Sequence, residues 1–233
     1  MRARTSAIIV AAGKGTRMGP DMDKMFIELA GAPLIAHTWQ RFDSSPSVDD
    51  LVIVVRSGLE NSFAQIARQH SFRKPYCLVR GGAERQNSVW NGLEAVPAQT
   101  EVVLIQDGAR PCTTEDLIAR CAQAAAQTGA AVAAQRVTDT IKESDGANRI
   151  ARTVDRSKLW SVQTPQSFRV TVIRSALMAV REKGLVVTDD TAACELIGQP
   201  VLLVESVTPN PKATSPADLP LIELLLTRNP ILS

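Results

Sequence analysis

The segment Ala11-Ala12-Gly13-Lys14-Gly15-Thr16-Arg17-Met18-Gly19 joins small residues to two cations directly after an apolar run. A glycine-rich turn after a first strand exposes successive backbone N–H groups and lets phosphate oxygens come close. Two familiar phosphate loops do not fit. A G-x-x-x-x-G-K-[ST] loop needs glycine where Met18 stands, and a dinucleotide G-x-G-x-x-G needs its third small residue at the same place. The second failure removes a nicotinamide-dependent oxidoreductase. What is left is a glycine loop carrying its own cations, Lys14 and Arg17, with Lys24 a few residues on. Clustered cations suit a ligand with several phosphates. On these residues alone, a tight turn with solvated charges stays open.

A second candidate is Gln106-Asp107-Gly108-Ala109-Arg110-Pro111. A carboxylate closing an apolar strand lands at the carboxyl edge of a sheet, where it can hold a divalent cation or a substrate hydroxyl. Arg110 beside it can grip a phosphate; a structural Asp–Arg pair at a helix start is the plainer reading. Gly81-Gly82-Ala83-Glu84-Arg85-Gln86-Asn87-Ser88 by itself indicates only a flexible turn leading into a helix.

These loops need elements to hold them. Residues 6–11, 51–55, 76–79 and 102–106 read as buried strands, rich in Val and Ile and bounded by turn residues. Helical spacing fills 33–42, with Pro33 at the first helical position, then 59–70 and 88–96. Thr113-x-x-Asp116 resembles a capping box opening a helix with Leu117, Ile118, Cys121, Ala124 and Ala125 on one stripe, and Gly129 suits its stop. The alternation predicts an α/β fold, a Rossmann-like, mostly parallel sheet with helices on both faces and ligands at the carboxyl ends of its strands. A further strand is expected at 131–134. Residues 137–160 are polar, with extended runs at 140–143 and 149–154 around Ser144-Asp145-Gly146, and predict a hairpin arm projecting from the domain. Helical spacing returns at Ile173, Ala176, Leu177 and Val180. A strand near 201–204 follows, then a last helix opened by Ser215 with Pro216 first and Asp218 third. The expectation is one domain over 1–233.

With 26 Lys and Arg against 24 Asp and Glu, the net charge is +2, which argues against a nucleic-acid backbone binder. The apolar run 7–12 is far shorter than the roughly 20 residues of a membrane span. It is also too short for a signal peptide despite Arg2 and Arg4. Cys77, Cys112, Cys121 and Cys194 form no C-x-x-C pair, so neither a zinc ribbon nor a disulfide framework is indicated. His37, His70, Trp39 and Trp90 read as structural, Trp160 as a support of the arm or an acceptor pocket. A soluble cytoplasmic protein is expected.

Taken in order, the glycine loop, Gly81-Gly82-x-Glu84-Arg85-x-x-Ser88-Val89, Asp107-Gly108-Ala109-Arg110-Pro111, Asp139-Thr140-Ile141-Lys142, Gln163-Thr164-Pro165-Gln166 and Thr188-Asp189-Asp190 resemble one family, the 2-C-methyl-D-erythritol 4-phosphate cytidylyltransferases. The resemblance runs from Ala7 to about Leu219. It implies transfer of CMP from CTP to methylerythritol phosphate with release of pyrophosphate, in the non-mevalonate route to isoprenoids, with Mg2+ or another divalent cation. It places the CTP phosphates over Gly13, Lys14, Gly15, Thr16 and Arg17, and the cytosine and ribose near Ala11, Ala12, Gly82 and Ser88. Arg17 and Lys24 would stabilise charge on the α-phosphate, with Lys212 as a further catalytic cation. Asp107, Arg110, Thr140, Arg156, Thr164 and Thr188, with Lys212, would surround the acceptor and the metal, Asp107 being the candidate metal ligand. Thr140 and Arg156 lie on the arm, which in the family crosses a homodimer to complete the neighbour's acceptor site.

Two segments depart from the family pattern: Asp23-Lys24-Met25-Phe26 lacks a leading proline, and Asn210-Pro211-Lys212-Ala213-Thr214 carries an extra one. The rivals are a ribitol-5-phosphate cytidylyltransferase, against which Glu84 speaks, and a non-catalytic nucleotide-binding regulator. Keeping Arg17, Lys24, Asp107 and Lys212 together speaks against the regulator.

Overall fold

Strands β1 (Thr5–Val10) and β4 (Asp50–Val55) are buried along nearly their whole length, with Ala7–Val10 and Leu51–Val55 apolar on both faces, so neither face can be left to water. The computed structural model describes residues 2–13, 15 and 23–229. After β1 come β2 (Glu28–Leu29), β3 (Ala32–Pro33), α1 (Leu34–Ser44), β4, α2 (Glu60–Gln69), β5 (Tyr76–Arg80), α3 (Arg85–Ala95), β6 (Val102–Asp107) and α4 (Glu115–Thr128). The second half runs β7 (Ala130–Arg136), β8 (Ile141–Ser144), β9 (Ile150–Val154), β10 (Trp160–Arg169), α5 (Val170–Glu182), α6 (Asp190–Leu196), β11 (Leu202–Glu205) and α7 (Leu219–Arg228).

The central sheet has the order β11-β7-β10-β6-β1-β4-β5. Its neighbours are parallel except β10, which runs antiparallel to both β6 and β7. Side chains alternate between two packed layers, as the strand period of two requires. Ile9, Leu51, Ile53 and Leu104 join Trp39, Phe42, Phe63 and Ile118 from α1, α2 and α4. Ile8, Val52, Val103 and Ile105 meet Val89, Leu93, Ile173 and Leu177 from α3 and α5 on the other face. The expected mostly parallel sheet with helices on both faces is therefore present. Among the described residues no helix is long and apolar enough to cross a membrane.

Several expectations need correction. α3 begins at Arg85 rather than Ser88, because Glu84 caps it and the Glu84 N–H donates to Asn87 Oδ1 at 3.1 Å. α4 is capped by Thr114, whose hydroxyl accepts from Leu117 N, and not by Thr113. Thr113 is instead buried, accepting from Gln106 Nε2 at 3.0 Å and donating to Asn210 Oδ1 at 3.1 Å. Pro33 precedes α1 as its cap residue. α6 and β10 carry no expectation at all. Trp160, expected in the arm, opens β10 and pairs with Arg136 in the central sheet. The arm itself is the exposed hairpin β8–β9, paired only with itself.

The bland readings of the other conspicuous residues agree with their surroundings. His37 is buried with Nε2 donating to Leu29 O at 2.7 Å, and burial lowers its pKa. Trp39 is a core residue, while Arg181 lies 4.5 Å above the Trp90 ring. Burial pushes the thiols of Cys112 to about 11 and of Cys121 and Cys194 to about 12, which leaves them unreactive.

Candidate active site

The strand order reverses between β1 and β6: β4 and β5 lie on one side of β1, β6 on the other. Chain segments leaving the carboxyl ends of neighbouring strands diverge at such a point and open a crevice. Here a cleft of about 700 Å³ is lined by Ala12, Gly13, Gly81, Gly82 and Ser88 on one wall and by Lys24, Arg56, Arg85, Asp107 and Lys212 around it.

The first wall is mostly backbone. Ala11 N donates to Val54 O and Gly81 N to Val55 O, each at 2.8 Å, so the two loops are sewn to the end of β4. A Cβ on Gly81 would stand 2.3 Å from Ala12 Cβ, and one on Gly82 would stand 2.3 Å from Asn87 Cβ. Only glycine fits. Ser88, buried at 3% exposure, accepts from Gly82 N at 3.0 Å and donates to Glu84 O at 3.2 Å, which fixes the turn. Ala11, also 3% exposed, backs this wall from the core. Gly15 has φ +62°, and a Cβ there would press on Lys24 Cγ and Cδ at 3.2 Å. Lys14, Thr16 and Arg17 lie outside the described residues.

Lys24 opens a 3-10 turn, Lys24–Phe26. Asp23 stands where the family pattern has proline and pins this turn in two ways. Its carboxylate accepts from Met25 N at 3.1 Å and pairs with Arg56. Lys24 Nζ donates to Ala213 O at 3.1 Å, beside Lys212 in sequence. The Lys212 Nζ lies 2.7 Å from Asp107 Oδ2. The two lysines thus come from opposite ends of the chain to one cleft, and Pro211 does not turn Lys212 away.

Asp107 is the hub of the opposite wall. Besides Lys212, it has Arg110 Nε at 3.6 Å and Arg85 Nε at 3.7 Å. Burial alone would raise its pKa, but Lys212, then Arg85 and Arg110, hold it below the usual carboxylate range. Thr164, 3% exposed, turns its hydroxyl to accept the Asp107 backbone N–H at 3.1 Å. Arg110 is not part of the cleft lining; its Nη1 donates to Asn210 O at 2.7 Å, and burial lowers its pKa. Asn210 ties this region together, donating to Thr164 O at 2.9 Å and accepting from Thr113. Thr188 is exposed next to α6. Thr140 and Arg156 are exposed on the arm, where Arg156 donates to Thr138 O, and neither lines this cleft.

Arg85, Asp190, Asn210 and Arg56 were not singled out as site residues. Arg85 Nη1 donates to Asp190 Oδ2 at 2.7 Å, a partner 105 positions away. Two of them carry a visible mark in charge: Arg85 follows the glycines of the second loop, and Asp190 closes Thr188-Asp189-Asp190.

The charged groups lining the cleft are Lys24, Arg56, Arg85 and Lys212 against Glu84 and Asp107. That excess of cations over a backbone cradle is what a polyphosphate requires, since fixed charges there act without reorganising. Among the described residues no group of three or more His, Cys, Asp or Glu is placed to hold a metal. Asp107, already facing three cations, does not make a resident cation site by itself. It fits a divalent cation that arrives on a triphosphate and keeps phosphate and water as most of its ligands.

A profile of the IspD family, 2-C-methyl-D-erythritol 4-phosphate cytidylyltransferase, matches residues 5–228. A protein of that name from Geobacillus thermodenitrificans is 44% identical over 220 residues, covering 94% of this chain and 96% of its own. Another from Alkaliphilus oremlandii is 40% identical over 225 residues, covering 96% and 95%. The crystal structure of 4-diphosphocytidyl-2C-methyl-D-erythritol synthase from Anaerococcus prevotii superposes with a TM-score of 0.85 at 28% identity, over 97% of each chain. The Thermus thermophilus 2-C-methyl-D-erythritol 4-phosphate cytidylyltransferase gives 0.78 at 31% identity, over 97% of this chain and all of its own (100%). A match of this extent, on a fold whose loops close one cation-rich cleft, places the chain in the 2-C-methyl-D-erythritol 4-phosphate cytidylyltransferase family.

Proposed function

We infer that this chain transfers CMP from CTP to 2-C-methyl-D-erythritol 4-phosphate and releases pyrophosphate, as a step of non-mevalonate isoprenoid synthesis in the cytoplasm. The observation that carries the reading is the meeting of Lys24 and Lys212 over a cleft walled by glycine. In the reaction an oxygen of the acceptor phosphate attacks the α-phosphorus of CTP in line. The bond from that phosphorus to the β-phosphate oxygen breaks, and pyrophosphate departs with the electron pair. No covalent enzyme intermediate is needed, so the protein supplies position and charge.

In this reading the backbone of Gly13 and Gly15, with Lys14, Thr16 and Arg17, holds the triphosphate. Gly82 and Ser88, with Ala11 and Ala12 behind them, seat the nucleoside. Arg17 and Lys24 answer the charge that grows on the α-phosphate, and Lys212 orients the attacking phosphate. Asp107 and Thr164 set Lys212, and Arg110 braces Asp107. Thr140, Arg156 and Thr188 serve the acceptor, the first two from the arm of a second copy in a homodimer. Mg2+ bound with CTP would neutralise phosphate charge, and Asp107 is the residue that would hold it from the protein. One nucleotidyltransferase domain, 1–233, holds the whole arrangement, with the hairpin as its arm.

Purified protein with Mg2+ should release pyrophosphate from CTP only when 2-C-methyl-D-erythritol 4-phosphate is present, with ATP, GTP and UTP poor donors. Equal turnover with ribitol 5-phosphate would move the acceptor assignment. Binding of CTP without turnover on any polyol phosphate would leave a nucleotide-binding regulator instead.

A further inference from the structure

Asp190 is the first residue of α6 and is 0% exposed. Burial pushes its carboxyl above the usual range, opposed by Arg85. Its Oδ2 accepts from Arg85 Nη1 at 2.7 Å, while Oδ1 has no hydrogen-bond partner among the described residues. A carboxylate out of reach of water with one cation for company is costly to keep. Helix capping does not account for it, because Asp189 already does that work, accepting from Ala192 N at 2.9 Å. The backbone of Asp190 is pinned as well: its N–H donates to Gln166 Oε1 at 2.9 Å, and Gln166 Nε2 reaches Asp189 Oδ2 at 2.9 Å.

What Asp190 holds is Arg85, which lines the cleft. The Arg85 Nε stands 3.7 Å from Asp107 Oδ1, near enough for charge attraction and too far for a hydrogen bond. The short contact of Asp107 goes to Lys212, at 2.7 Å. A guanidinium released from Asp190 would close on Asp107 in the two-pronged manner arginine favours, in competition with Lys212. We infer that Asp190 is a positioning residue for the transfer reaction: by holding Arg85 it leaves Asp107 to aim Lys212 into the cleft. This rests on the cytidylyltransferase reading and adds to it a residue that touches neither substrate.

The test is a double-mutant cycle with Asp190→Asn and Arg85→Met, read by steady-state kinetics and by the 15N signal of the Lys212 ammonium, assigned by its loss in Lys212→Met. Asp190→Asn should lower kcat about tenfold or more, the scale of a displaced catalytic group, with KM for CTP within about threefold. In the Arg85→Met background the same substitution should have no further effect. The Lys212 signal should shift in Asp190→Asn and return toward wild type in the double variant. Arg85→Met alone leaves a buried carboxyl without its partner and can fold poorly; the double variant removes both charges and is the stable reference. An equal loss of kcat in both backgrounds, or a Lys212 signal that ignores Asp190→Asn, would overturn the inference. So would a loss of CTP affinity beyond about tenfold in Arg85→Met, which would make Arg85 a substrate contact. A wild type without transferase activity would defeat the functional reading and with it the role in transfer, while the Lys212 signal would still decide whether Asp190 sets Lys212 through Arg85.

Discussion

The glycine wall and the arm are built in opposite ways. The wall is backbone and small side chains at the ends of β1 and β5, backed by core residues such as Ile9 and Val54 at 0% exposure. The arm is a two-stranded hairpin paired only with itself, stapled by Arg152–Glu143 at 2.5 Å and Lys142–Thr153 at 2.6 Å, with Ile150 68% exposed. At its base Arg136 lies 4.4 Å above the Trp160 ring. An isolated hairpin of this kind is marginal in water. The core therefore holds the glycine wall in place, whereas in the proposed arrangement the arm gains its support from a second copy of the chain.

The largest effect should come from the core side. Lys24→Ala is expected to lower kcat about a hundredfold or more, the scale of removing one preorganised donor, with a much smaller change in CTP affinity. Weaker CTP binding with unchanged turnover at saturation would make Lys24 a ground-state anchor. A paired glycine substitution then sharpens the contrast. Gly82→Ala puts a Cβ 2.3 Å from Asn87 Cβ, so it should destabilise the fold by about 1–3 kcal/mol and weaken CTP binding in calorimetry. Gly146→Ala on the arm meets nothing within 4 Å and carries only the strain of φ +86°, so CTP binding should stay at the wild-type value.

The smallest effect is the pH dependence of Asp107. Its pKa is lowered in the folded state by Lys212, Arg85 and Arg110 against the burial that would raise it. The stabilisation is therefore present above the ordinary carboxylate value of about 4 and is lost as pH falls through the folded value. In thermal scans below about pH 5, Asp107→Asn should lose stability less steeply than wild type. Parallel slopes would show that these pairs contribute nothing to acid stability.

The first half of the glycine wall is legible in the sequence because Gly13 and Gly15 sit beside two cations at a strand end, whereas Gly81 and Gly82 by themselves indicate only a turn. Lys24 and Asp107 stand out as charges just beyond a glycine loop and at a strand end, whereas Lys212 has no such local mark and is pointed to only by the family resemblance. β10 is not legible. Gln163-Thr164-Pro165-Gln166 carries no strand pattern, and Pro165 argues against a central strand. The fold tolerates it because the register shifts between Val162 and Gln166. Its polar side chains are also satisfied from afar: Gln163 Nε2 donates to Gln135 Oε1 at 2.9 Å, and Gln166 reaches Asp189. Long-range pairs such as Arg85–Asp190 leave no periodic trace. The Thr113-x-x-Asp116 spacing points one residue too early, because Thr113 is buried and Thr114 takes the cap.

In the proposed arrangement the core half of each site belongs to one chain and the arm half, with Thr140 and Arg156, to its partner in a two-fold dimer. Mixing Lys24→Ala with Arg156→Ala tests it most directly. Each variant alone should be nearly inactive. In a mixed dimer one site receives an intact Lys24 from one chain and an intact Arg156 from the other. Random exchange makes about half the dimers mixed, so pyrophosphate release should return to about a quarter of wild type. No recovery after verified subunit exchange would contradict the account, because a site built from one chain is never whole in that mixture.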